Sequence, residues 1–87
     1  MNATKLQLPC IHLNGTSREG LLEALCNASN ALNDAYSALK QTAPNGRDYY
    51  PLGAEAMEKA TEEHMSRLRR LDEIKDEIDA IAQGIME

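Results

Sequence analysis

Apolar residues recur at alternating intervals of four and three positions, through Leu21, Leu25, Ala28, Leu32, Ala35 and Leu39. That alternation places them on one stripe of an α-helix. A second stripe runs through Met57, Ala60 or Thr61, His64, Leu68, Leu71, Ile74, Ile78, Ile81 and Ile85. Between the two, Pro44 and the Asn45-Gly46 pair interrupt any continuous helix. Two such stripes and one break predict an all-α chain, an antiparallel two-helix hairpin whose stripes face each other.

Local signals set the boundaries. Leu6, Leu8, Ile11 and Leu13 alternate with other residues around Pro9, which removes an amide donor and restrains its neighbour, so residues 1–15 read as an extended N-terminal arm. Asn14-Gly15 marks a turn, and Thr16-Ser17-Arg18-Glu19 reads as a capping box with Glu19 at the third helical position. The body, residues 16–87, divides into a helix over about 17–42, a connector over 43–53 and a helix over about 54–85. Glu55 and Glu58 suit the positive start of the second helix. Antiparallel packing with a simple connector predicts Leu39 near Met57, Leu32 near His64, Leu25 near Leu71 and Leu21 near Ile74. The turns beyond Ile78 then lack a partner on the first helix, so the arm or another protomer is expected to cover them.

So small a hairpin has little to bury. A chain of 87 residues hides only about 60–65% of its unfolded surface. Leucine and isoleucine total 16, and valine, phenylalanine and tryptophan are absent. Two helices of this kind offset little chain entropy, which predicts a homo-oligomeric helical bundle. The polar face of the first helix points the same way, because Asn27, Ser29, Asn30, Asn33, Ser37 and Gln41 are mediocre helix formers for a face that meets only water.

Charge and motifs narrow the function. Nine basic residues against 14 acidic ones give a net charge of −5, and all of that excess lies in residues 53–87. Duplex nucleic acid and anionic membranes are poor partners for such a chain, although a compact anion needs only a local positive site. Cys10 and Cys26 form no disulfide framework, and no signal peptide or long apolar run is present, so a soluble cytosolic protein is expected. Asn2, Asn14 and Asn27 begin glycosylation triplets that carry no meaning in that compartment. Cys10, His12, Cys26 and His64 lack the spacing of a zinc site, and Cys26 and His64 read as buried or half-buried core. No nucleophile, phosphate-loop or metalloprotease motif occurs, and no carboxylate pair stands out, so neither catalysis nor a cofactor is expected.

The connector is the stretch whose residue mix outruns structural need. Arg47 offers a planar charged fork for phosphate, Tyr49 and Tyr50 offer stacking faces, and Asn45 offers neutral hydrogen bonds. The bland alternative has the tyrosines plugging the end of the hairpin while Arg47 and Asp48 pair or cap. A second phosphate cradle is the start of the first helix, where free amides, Thr16 and Arg18 converge. Plain N-capping is its alternative. The two sets lie about 40 Å apart by helix rise, so only a neighbouring chain joins them. Arg67, Arg69 and Arg70 sit among acids and read as surface ion-pair partners.

Taken together, IHLNGTSREGLLE, APNGRDYYPLG and EHMSRLRRLDEIKDEIDAIAQGI, over roughly residues 11–85, resemble a set of small proteins carried by phages and prophages of proteobacteria. The resemblance implies an accessory protein acting on host systems in the host cytoplasm. By analogy of size and architecture it suggests an oligomeric sponge for a cyclic nucleotide immune signal. The expected ligand-binding residues, Arg47, Tyr49, Tyr50, Asn45, Thr16 and Arg18, come from side-chain chemistry and not from the resemblance. The alternative is a protein-interaction module docking through the polar face of the first helix, or a structural assembly protein.

Overall fold

The computed structural model describes residues 6–87. The first five residues of the expected arm, Asn2 among them, lie outside the described residues. The chain is helical, with α1 at Arg18–Lys40, a short α2 at Gly46–Tyr49, a 3-10 turn at Tyr50–Leu52 and α3 at Ala54–Met86. The helix boundaries sit close to those expected. The cap of α1 lies one residue later than the capping box placed it: Ser17 is the N-cap and its Oγ accepts from Gly20 N at 3.0 Å. Glycine occupies the position that would need Glu19, so the reciprocal half of the box does not form. At the other end, Lys40 lies over the Tyr36 ring, 5.6 Å from its centre, and Thr42 Oγ1 donates to Leu39 O at 2.7 Å.

α1 and α3 lie side by side, with residue numbers running in opposite senses. Ser29 Oγ donates to Asp79 Oδ1 at 2.6 Å, and Leu22, Leu25 and Cys26 share a groove with Ala82 and Met86. This pairing corrects the expected register. Ser29 lies beside Asp79, about twelve residues further along α3 than the pairing of Leu32 with His64 implied, and the turns beyond Ile78 do have a partner on α1. The physical reason is the connector, which folds into α2 and the 3-10 turn and packs against α3. It occupies the early turns of α3, so α1 is displaced toward the C-terminal end. Gly53, at φ +97°, joins the 3-10 turn to α3 in a conformation that side chains with a Cβ disfavour.

The arm reaches the same end of α3. A Cβ on Gly84 would stand 2.6 Å from Leu8 Cδ1, so Leu8 lies directly on the glycine backbone. The arm also turns where Asn14-Gly15 signalled it, with Gly15 N donating to His12 O at 3.1 Å.

Burial is sparse. Among the described residues, Leu68 and Ile85 are the buried apolar ones, 7% and 6% exposed, and His64 is the buried polar one at 5%. No residue of α1 is buried; Leu21, Leu22, Leu25, Ala28, Leu32, Tyr36 and Leu39 are half-buried. Tyr36 thus takes the inward place expected of Ala35, which is exposed. The chain extends over 62 × 23 × 17 Å with a radius of gyration of 18.3 Å, where a compact chain of this length has about 12 Å.

The Asp79 carboxylate carries the pH sensitivity of the helix pairing. The Lys75 ammonium, at 2.8 Å, and then the Ser29 hydroxyl hold its carboxyl below the ordinary range. A group depressed in the folded state stabilises above its unfolded pKa, and the contribution is lost as pH falls through the folded value. Wild type should therefore lose more stability than Asp79→Asn on acidification from about pH 5 to pH 3, by about 0.5 kcal/mol or less because the pair is exposed and screened. Thermal melts of both proteins at the two pH values check this.

Candidate functional site

The connector residues are ordered by their own backbone chemistry. Asn45 adopts an extended conformation and its Oδ1 accepts from Arg47 N at 2.9 Å, capping α2. The Asn45 side-chain oxygen is thereby committed to the fold, which is the bland role set against ligand binding for that residue. Pro at the second position of the 3-10 turn, Pro51, suits the start of a helical turn. The two tyrosines separate: Tyr49 is half-buried while Tyr50 is 78% exposed. Of the two rings expected to offer one stacking face, Tyr50 is the one open to solvent, and the bland alternative in which both plug the end does not hold for it. Arg47 and Leu52 are exposed as well, so the connector presents a cation, an aromatic ring and an aliphatic side chain to solvent.

The start of α1 is the other expected locus. Ser17 takes the Gly20 amide, leaving the first-turn amides of Arg18 and Glu19 without intrahelical acceptors, as every helix start does. Thr16 and Arg18 are exposed there. α1 itself, 23 residues long, separates this end from the connector by about 34 Å. One chain therefore brings Arg47, Tyr49, Tyr50 and Asn45 together and leaves Thr16 and Arg18 remote.

Two concave surfaces lie away from both loci. A groove of about 290 Å³ between α1 and α3 is lined by Leu22, Leu25, Cys26, Ser29, Asp79 and Met86 among others. Cys26 is exposed in it, which corrects its expected place in the core: it lies on the flank of α1, where Asn30 Nδ2 makes a long contact of 3.8 Å to its sulfur. A shallower pocket of about 330 Å³ lies among Glu62, Glu63, Ser66, Arg67 and Arg70, all on one face of α3. Among the described residues, no three His, Cys, Asp or Glu side chains gather as a metal site requires. No helix of the described chain is long and apolar enough to cross a membrane.

His64 is the residue whose state sequence reasoning saw only in outline. Its burial follows from its place on the α3 stripe, four residues before Leu68. Its buried Nδ1, however, has no hydrogen-bond partner among the described residues. An orphaned buried polar atom costs about 1–3 kcal/mol, and replacing it with an apolar group of similar shape removes that cost. His64→Leu should therefore raise stability by about 1 kcal/mol in a denaturant melt. A loss of that size would show that the ring is satisfied by something outside the chain.

Comparison with protein-family models, with curated proteins and with solved structures returns no match.

Proposed function

We propose that this chain acts by binding and not by catalysis: antiparallel hairpins with their N-terminal arms assemble into a homo-oligomer that sequesters a nucleotide-type signal. The observation that carries the reading is the connector, where a largely exposed Tyr50 ring and an exposed Arg47 lie three residues apart on a segment fixed by the Asn45 cap. A ring free on its face stacks on a base, and a guanidinium without an ion-pair partner among the described residues grips phosphate. Thr16 and Arg18, remote within one chain, join such a site from a neighbouring copy. Phosphate recognition at two ends is what a compact cyclic nucleotide would need, and a phage accessory protein of the host cytoplasm is the setting that the sequence resemblance implies.

A second reading has its own observation. Asn27, Asn33 and Ser37 are exposed on α1 and make no side-chain hydrogen bond among the described residues, so this face is free to dock a host or phage protein.

Titration calorimetry with a panel of cyclic dinucleotides separates the two. The proposal expects Arg47→Ala and Tyr50→Ala each to weaken binding about 10- to 100-fold with the oligomer unchanged. Binding that is absent for every ligand, or indifferent to both substitutions, removes the proposed site. Loss of a protein partner on Asn30→Lys would then favour docking.

A further inference from the structure

The surface on the far side of the helix pair from the Ser29–Asp79 groove leaves small and apolar side chains uncovered between charges. At 100° per residue, Ala35 lies half a turn around α1 from Cys26, which lines the groove, and Ile74 lies 140° around α3 from Asp79. Both therefore face the other side. Ala31, Ala35 and Ala38 are all exposed there, and Ile74 is 48% exposed although it belongs to the apolar stripe of α3. Small side chains on α1 let another backbone approach, and Ile74 supplies a large apolar group to bury.

The charges beside Ile74 indicate what covers this face. Arg70, whose Nε donates to Ser66 O at 3.3 Å, stands four residues before it and Glu77 three residues after it, and neither has an ion-pair partner among the described residues. A two-fold axis passing beside Ile74 sets Arg70 of each copy against Glu77 of the other and brings the two isoleucines together. A surface that is complementary to itself under a two-fold is the signature of an isologous interface. The area agrees. The chain exposes 6626 Å², about 1,500 Å² more than a compact chain of this mass, whereas a stable interface needs about 800 Å² from each partner.

We infer that a second copy of this chain packs antiparallel on the Ala31–Ala35–Ala38 and Ile74 face, with reciprocal Arg70–Glu77 pairs. This rests on the proposed self-association and names its surface. Sedimentation of the full chain over a concentration series tests it, with helical circular dichroism confirming that each variant folds. Ile74→Lys should weaken self-association about 30-fold or more. Arg70→Glu, which sets like charges together, should weaken it about 5-fold, and Arg70→Glu combined with Glu77→Arg should recover the wild-type constant. If wild type associates and the three variants match it, this face is wrong and self-association stands. A wild-type chain that stays monomeric at every concentration overturns both.

Discussion

Leu68→Ala is expected to lower the unfolding free energy by about 2–5 kcal/mol, the range for truncating a buried leucine. In most domains such a loss is absorbed by a broad core. Here Leu68 is one of two buried apolar residues among those described, and it stands where α1 ends and the connector begins to cover α3. By the register that pairs Ser29 with Asp79, Lys40 falls beside Leu68, so the side chain closes the junction of three segments. Domains of this class have about 5–15 kcal/mol in total. The variant should therefore lose a large share of its stability, and its urea midpoint should fall well below that of wild type. A midpoint within experimental scatter of wild type would mean that Leu68 does not carry the junction.

Ile85→Ala should be comparably costly, about 2–5 kcal/mol, and should act at the opposite end. Ile85 is 6% exposed one residue after Gly84, on which Leu8 of the arm rests. The arm has no backbone hydrogen bond to the helices among the described residues, so side-chain packing alone holds it. Truncating Ile85 should release the arm before the helices melt, making residues 6–17 sensitive to limited proteolysis under conditions where α1 and α3 stay protected. Equal protease resistance of arm and helices in this variant would contradict that order of events.

The two sites differ in how far they were legible. Pro44, Asn45-Gly46 and the Thr16-Ser17 pair mark the ends of the helices to within a residue or two, because each acts through its own backbone chemistry, although the cap itself falls on Ser17 and not Thr16. The pairing register did not follow, because it depends on the connector folding into a short helix and a 3-10 turn that take up the beginning of α3. A periodic stripe fixes which face of a helix looks inward but not how far one helix slides along another. Ile74 shows a related limit: it keeps stripe spacing, yet lies on the edge of the stripe and half outside the pair. Which of Tyr49 and Tyr50 offers its ring is not legible from adjacency, because successive residues of a helical turn point some 100° apart and only the turn geometry decides which faces out. Asn45 was equally ambiguous, since an asparagine ahead of a short helix is a cap whenever the next residues turn.

A binding protein whose thin core is completed by copies of itself should be recovered as a loaded oligomer, and native mass spectrometry of the gently purified chain tests that most directly. The protein should be isolated from bacteria with an active nucleotide-signalling defence system and compared with the same sample denatured. A closed oligomer carrying nucleotide-sized mass that denaturation releases is the predicted result. A bare monomer that remains so after incubation with cyclic dinucleotides would contradict it.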